Sequence, residues 1–357
     1  MNHYTQDAIR TAVIGAGSMG RNHARVYSEL TEVDLVGVCD TNLTVAEWVG
    51  QAFGAAAYSD YQQMLAELQP QAVSIAVPTA LHEPVAQAAL EAGADVLIEK
   101  PIAATLEQGV RLNQQAEMLG RKLMVGHIVR FNPAIQALKN KIQNGDLGRI
   151  FQVICRRVGP FPDRVRDVGV VVDLAPHDLD LMRYLLETDP LRVYAETEQR
   201  IHTDHEDLLL GLLRFPGNVS GLLEINWLTP NKLREVIVLG ERGMLRVDDL
   251  TQDLYFYENA FSDGLASNVT SLNPSSSSVL WSNLQNIKGV TEGSMIRYAL
   301  QRYEPLKAEL QAFIKAITEN KPVPVSGADG LAALQLALAL VESGATHQVI
   351  ELVHVIG

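Results

Sequence analysis

Two places in this 357-residue sequence put ionisable side chains where they could move protons. The first is Val96-Leu97-Ile98-Glu99-Lys100-Pro101. Three apolar residues form the short run of a buried parallel strand, which then stops on a carboxylate, an amine and a proline. Proline cannot continue a central ladder and pushes the residue before it into extended backbone, so the strand ends here. In an open α/β sheet, strand carboxyl ends face the crevice where ligands bind. An amine there can hydrogen-bond a reacting oxygen and stabilise charge developing on it, or it can simply reach solvent. The second place is Asp173-Leu174-Ala175-Pro176-His177. Asp173 and His177 are four apart, so on a helix they share one face, and Pro176 is expected in the first turn. An imidazole titrates near neutrality and can accept an alcohol proton, while a carboxylate one turn away can orient it. On spacing alone, an N-cap aspartate and a core histidine fit at least as well.

The elements that would position these groups follow from the pattern of the first half. Ala12-Val13-Ile14 is a strand core, followed at once by Gly15-Ala16-Gly17-Ser18-Met19-Gly20 and a helical stretch to Leu30. That context gives Gly-x-Gly-x-x-Gly its meaning. Gly15 permits a tight turn, Gly17 lets a pyrophosphate approach the backbone, and Gly20 lets helix and strand pack closely. Ser18 and Met19 open the helix, whose N-terminal N–H groups suit phosphates. A second strand, Leu35 to Cys39, ends in Asp40, an acceptor for a ribose 2′-hydroxyl that would repel a 2′-phosphate. No arginine follows it, so the expected cofactor is NAD rather than NADP. Further strands at Ala72 to Val77, Val96 to Glu99 and Leu123 to Val125 alternate with helices at Glu83 to Ala92 and Leu106 to Leu119. The pattern is a doubly wound parallel sheet. Pro78, Thr79, Glu99 and Lys100 lie at strand ends on the cofactor side. Thr79 and His82 could touch the nicotinamide or its ribose; equally, His82 could be a water-exposed histidine at a helix start.

After Val125 the texture changes, so the division is drawn as 1–125, a NAD-binding Rossmann domain, and 126–357, an α+β substrate-binding and oligomerisation domain. Gly126 to Asn132, with His127 and Arg130, reads as a connector into a helix from Pro133 to about Asn144. Strand patterns follow at Ile150 to Arg157, Leu191 to Thr197, Leu208 to Phe215, Val219 to Trp227, Leu233 to Leu239 and Gly243 to Val247. Short turns join many of them, which argues for a large, mainly antiparallel open sheet. Two helices, Pro305 to Thr318 and Ala328 to Ser343, finish the chain. Arg156, Arg157, Arg164 and Arg166, with Lys232 and Arg234, form a basic cluster that could clamp a diphosphate, or could be solvated surface residues. His202-Thr203-Asp204-His205-Glu206-Asp207 has metal-ligand residue types but reads as a polar turn, and no metal is assigned. Ser262 to Ser282 reads as a flexible loop.

Composition bounds the rest. With 47% hydrophobic and 20% charged residues, the chain is an ordinary globular protein. A formal net charge of -13 argues against a nucleic-acid or anionic-membrane partner. The apolar run Leu331 to Val341 is too short to span a bilayer. The N-terminus is polar, and Cys39 and Cys155 are far apart, which suits a reducing, cytoplasmic setting. One face of an open antiparallel sheet is available to a second subunit, so a homodimer or homotetramer is expected.

With Gly15 to Gly20, Asp40, Glu99-Lys100-Pro101 and Asp173-x-x-x-His177 in this order, the chain resembles the glucose–fructose oxidoreductase / inositol dehydrogenase / MocA (Gfo/Idh/MocA) family over essentially its whole length. The resemblance implies a catalytic constellation of Lys100, Asp173 and His177. One departure concerns Val168-Gly169-Val170-Val171-Val172, where many members carry two or three glycines, so the substrate loop is expected to differ in shape. Asp167 to His177, Asn226-Trp227-Leu228-Thr229-Pro230 and Leu250 to Tyr257 are similar to the branch that oxidises nucleotide-linked amino sugars. That implies oxidation of a secondary hydroxyl, C3 of UDP-N-acetylglucosamine, with His177 as base and Lys100 and Asp173 assisting. His127, Arg130, Asn226 and Trp227 join the basic cluster as candidate substrate contacts. Rival expectations are the corresponding uronate, an inositol or a free sugar as substrate, or a non-catalytic sensor of NAD and a metabolite. Retention of Lys100, Asp173 and His177 speaks against the sensor.

Overall fold

The computed structural model describes residues 8–162, 168–201, 204–260 and 292–352. Arg164, Arg166, His202, Thr203 and the serine-rich stretch 262–282 lie outside them. The apolar runs of the first half become six strands, β1 (Ile9–Ile14), β2 (Val33–Cys39), β3 (Ala56–Tyr58), β4 (Ala72–Ile75), β5 (Asp95–Glu99) and β6 (Leu123–Gly126). They pair in parallel in the order β3-β2-β1-β4-β5-β6. The order reverses between β1 and β4, which opens a crevice at their carboxyl ends. Helices α1 (Ser18–Glu29), α2 (Leu43–Phe53), α3 (Tyr61–Leu68), α4 (His82–Glu91) and α5 (Leu106–Met118) make the crossovers. Being covered on both faces explains why β5 is apolar without alternation: Val96, Leu97 and Ile98 are all fully buried. Burial of each Leu or Ile side chain contributes about 1.5–3 kcal/mol. β3 and α3 had no clear apolar signature in the sequence.

The second half builds a nine-stranded sheet from β7 (Ile150–Pro160), β8 (Arg192–Glu198), β9 (Leu208–Arg214), β10 (Ser220–Asn226), β11 (Leu228–Gly240), β12 (Gly243–Asp248), β13 (Asp253–Asn259), β14 (Glu292–Arg297) and β15 (Ile350–Glu351). Its order is β14-β13-β12-β11-β7-β10-β9-β8-β15, antiparallel throughout except for the β7–β10 pair. α6 (Pro133–Gln143) and α7 (Val170–Leu186) cover one face, and Leu209, Leu223, Val153 and Val236 point into the core between. The sequence reading missed β13, β14 and β15.

Two further findings depart from the sequence reading. Helix α7 starts at Val170, so Pro176 sits inside it rather than in the first turn. Its N-cap is Gly169, not Asp173, and the Glu206 side chain takes the Val171 N–H at 3.2 Å. The polar turn therefore caps a helix: Glu206 closes α7, and Asp207 accepts from the Arg200 and Ile201 N–H groups. The chain also returns to its first core, because Leu306, Leu310, Phe313 and Ile314 of the helix Pro305–Thr318 pack into the Rossmann cluster. The last helix, Gly327–Thr346, is long and apolar enough to cross a membrane, but half of it is buried inside the protein. Its longest packing partners are α7 and β8.

Candidate active site

The glycine loop has the geometry a dinucleotide needs. Gly15 adopts φ +92, where any side chain would meet the Ala76 carbonyl oxygen at 2.5 Å. A Cβ on Gly20 would lie 1.6 Å from the Gly15 carbonyl oxygen, so α1 can approach β1 only with glycine there. Gly17 is the N-cap of α1, has no side-chain cap and faces open space, with nothing within 4 Å of an added Cβ. The N–H groups at Ser18 and Met19 start the helix beside that opening. The Asp40 carboxylate accepts from Ala16 N and Asn42 N, both at 2.9 Å. These bonds fix the acid beside the loop at the end of β2 with lone pairs to spare for a ribose hydroxyl. Pro78 and Thr79 follow β4 on the same side. Loop, open helix terminus and fixed acid fit NAD, and when bound it supplies a nicotinamide that takes a hydride.

His82 departs from both readings offered for it. It is buried, with ring nitrogens 2.8 Å from the Pro101 carbonyl oxygen and 3.0 Å from that of Val77. It sits between the end of β4 and the turn after β5, where burial keeps the ring neutral and one N–H donates to one of the two carbonyls. Glu99 plays a similar part. Its carboxylate meets His23 of α1 at 3.1 Å and the Lys100 N–H at 3.3 Å. It lies over Gly126, where a Cβ would come within 3.2 Å. Glu99 thereby links the dinucleotide helix to the strand end that carries Lys100. His23 was not read from the sequence, since one histidine in an amphipathic helix carries no signal.

Lys100 follows β5, and the Lys100–Pro101 peptide is cis. Its ammonium reaches across to α7, donating to the Asp173 backbone carbonyl and lying 3.1 Å from Asp173 Oδ1. Side-chain exposures of 15% and 8% make this a largely buried ion pair. His177, one turn on, has its Nδ1 buried and bonded to no group among the described residues. Burial, and then the positive charges of Lys100 and Arg157, hold its imidazole well below the usual value. The ring is therefore neutral near pH 7, the form a proton acceptor needs. Asp173 faces Lys100, and no hydrogen bond joins it to the His177 Nδ1.

Most of the candidate substrate contacts have partners within the chain. Arg130 is buried and holds Asp180 (2.7 Å from Nε to Oδ2) and Asp329 (3.2 Å). Arg157 is buried in a two-point pair with Asp178, at 2.7 and 2.9 Å. Arg156, its neighbour on β7, points to the opposite face and pairs with Glu224 at 2.7 Å. Asn226 Oδ1 accepts from Leu228 N and Thr229 Oγ1, which shapes the entry to β11. Trp227 is 3% exposed and packs edge-on against Phe161. His127 is buried, 1% exposed. Lys232 is exposed on β11 beside Gly159. Arg234 differs from the rest. It is half-buried, lies in register with Arg157 on the inner face, and donates to the Val158 and Leu233 carbonyls. Burial, and then the Arg157 charge, push its guanidinium down to about 10, and its own charge bears on His177. An anion beside His177 would relieve that.

Comparison with known proteins agrees with this geometry. Residues 9–127 match the model described as "Oxidoreductase family, NAD-binding Rossmann fold", and residues 135–246 match the GFO/IDH/MocA C-terminal domain. The chain is 29% identical to UDP-N-acetylglucosamine 3-dehydrogenase of Acidithiobacillus ferrooxidans, over 92% of this chain and 95% of that one. A crystal form of that enzyme superposes with a TM-score of 0.80, covering 94% of this chain and 97% of the other. Inositol 2-dehydrogenase of Rhizobium meliloti is 28% identical over 94% of this chain and 96% of its own. The WlbA dehydrogenase of Bordetella pertussis, solved with NADH and UDP-GlcNAcA, is 25% identical with a TM-score of 0.77, covering 97% and 99%. Two family models spanning well over half the chain, on the fold and loop geometry described above, place this protein in the Gfo/Idh/MocA family of NAD-binding oxidoreductases.

Proposed function

We propose that this NAD-dependent sugar dehydrogenase oxidises a secondary hydroxyl of a nucleotide-linked amino sugar, C3 of UDP-N-acetylglucosamine, to the ketone. His177 takes the hydroxyl proton, while NAD, which the glycine loop and Asp40 would hold, would supply the acceptor for the C3 hydride. Lys100 donates to the reacting oxygen and stabilises its alkoxide character. Asp173 holds the Lys100 ammonium at 3.1 Å in the position from which it acts. The observation that carries the reaction type is a half-buried imidazole, held neutral, on which the charge of the Lys100 ammonium at the end of β5 bears. The substrate class is supported by near full-length similarity to UDP-N-acetylglucosamine 3-dehydrogenase and by the under-compensated Arg234 cation beside His177. Arg234 is the proposed contact to the diphosphate.

NADH formation should be measured on UDP-N-acetylglucosamine, its uronate, free N-acetylglucosamine and myo-inositol. A glutamate-dependent aminotransferase is added to draw off the ketone. Turnover on the UDP-amino sugar alone supports the proposal. Turnover only on the uronate or on inositol keeps His177 and Lys100 in their roles but overturns the substrate. Silence on all four brings the NAD-binding sensor forward.

We also propose a homo-oligomer through the outer face of the nine-stranded sheet. There Leu212, Leu222, Ile154 and Ile237 lie in one register row, and Leu210, Leu212, Phe151 and Leu239 are exposed by 38–51%. A second copy of the same face would cover them. The two buried, unpaired cysteines, Cys39 and Cys155, suit the reducing cytoplasm proposed as its location.

A further inference from the structure

Where β6 ends, the chain turns from Gly126 into His127 between the two cores. Its imidazole is 1% exposed, and neither ring nitrogen bonds to any group among the described residues. A buried polar group left unmatched costs about 1–3 kcal/mol, so two on one ring mark a connection with a purpose. Asp180, Arg130, Asp329 and Lys100 all bear on the ring, and two ionisable groups on one face of α7 interact with it. One is Asp180, whose Oδ2 lies 3.9 Å from His127 Nδ1 and whose carboxylate is already oriented by Arg130. The other is His177, on which the charge of His127 bears and whose own Nδ1 is buried without a partner. His177 and Asp180 are three apart on the helix and therefore neighbours.

We propose that His127 is the positioning residue of the catalytic base, holding His177 through a hydrogen-bonded column His177–His127–Asp180. The direction of the column follows from the chemistry of its end. An ionised Asp180 only accepts, so His127 donates to it from Nδ1 after a small rotation of the ring. A neutral imidazole then has its lone pair on Nε2, which accepts from His177 Nδ1–H directly or across one water. That leaves the His177 lone pair on Nε2, toward the cleft. In the proton transfer the substrate O–H bond breaks and an N–H bond forms at His177 Nε2. The imidazolium so formed is stabilised by Asp180 through His127, the logic of an Asp–His pair extended by one ring.

The inference takes His177 as the base but does not depend on which sugar is oxidised, and its test separates the two. Nitrogen-15 spectra of histidine-labelled protein with NAD bound report the His177 tautomer without any substrate, with His177→Gln giving the assignment. Wild type should show one tautomer, protonated on Nδ1, and His127→Leu should show a mixture. On whichever alcohol is turned over, His127→Leu should lower kcat by about tenfold to a hundredfold with little change in KM. His127→Gln, which keeps a donor and an acceptor, should recover part of the loss and serves if the leucine variant fails to fold. In a His177→Gln background, either change should cost nothing more. An unaltered His177 tautomer in a folded His127 variant overturns the proposal. So does an equal loss of kcat in both backgrounds, which would make His127 a packing residue only.

Discussion

Replacing Lys100 with methionine separates its two roles. The ammonium lies 3.1 Å from Asp173 Oδ1 and also caps the Asp173 carbonyl, with 15% and 8% of the two side chains exposed. Methionine fills nearly the same volume but leaves a carboxylate in a buried site without the cation that faced it. Breaking a buried pair from one side typically costs 3–5 kcal/mol; the partial exposure of Lys100 puts this one at about 3 kcal/mol. Loss of a donor to a developing oxyanion costs about a hundredfold to a thousandfold in kcat. The two losses part company in the double variant. Asp173→Asn on top of Lys100→Met removes that charge and should restore part of the stability, but it restores none of the rate. Urea unfolding and initial rates of NADH formation measure the two. A Lys100→Met protein with near-normal turnover, or a double variant that recovers turnover along with stability, would refute the reasoning.

Three further outcomes follow from the geometry. Because burial and neighbouring cations hold His177 well below its usual value, kcat/KM should stay level as pH falls through about 6.5 and drop only at lower pH. An acid limb centred at the ordinary histidine value contradicts this. Gly20→Ala places a methyl 1.6 Å from the Gly15 carbonyl oxygen and should weaken NAD binding, read by calorimetry, by more than about tenfold, or 1.4 kcal/mol. Glu309 is fully buried on the helix Pro305–Thr318, with neither carboxylate oxygen bonded among the described residues. Burial, and then the charges of Glu99 and Asp180, hold its carboxyl well above the usual range. The native state then keeps a proton that the unfolded chain loses near pH 4.3, so stability falls as pH rises from about there toward the native value. Glu309→Gln should equal wild type in acid and exceed it in denaturant resistance at pH 7.

Features carried by local sequence were readable in advance. The glycine loop, Asp40 and Glu99-Lys100-Pro101 are contiguous motifs whose neighbours dictate strand, turn and helix start, and the structure has all three where the pattern implies. Asp173 and His177 also share a helix face as their spacing requires. Their partners were not legible, because partners come from elsewhere in the chain. Arg156 and Arg157 look like one basic patch, but adjacent strand residues face opposite sides, and each finds its own acid, Glu224 or Asp178. Arg130 reads as a free cation until Asp180 and Asp329 arrive from 50 and 199 residues away in sequence. The interior Pro176 misled for a related reason. Its missing N–H marks a helix start by propensity, whereas Glu206, from a separate turn, lets α7 begin a turn earlier.

The most direct test of the central claim follows a single atom. UDP-N-acetylglucosamine carrying deuterium at C3 is given to the enzyme with NAD, and the reduced cofactor is examined by mass spectrometry. The account predicts one deuterium on the nicotinamide ring, formed at a reduced rate in His177→Gln. Reduced cofactor without deuterium would show that another position is oxidised, and no reduced cofactor at all would contradict the proposed reaction.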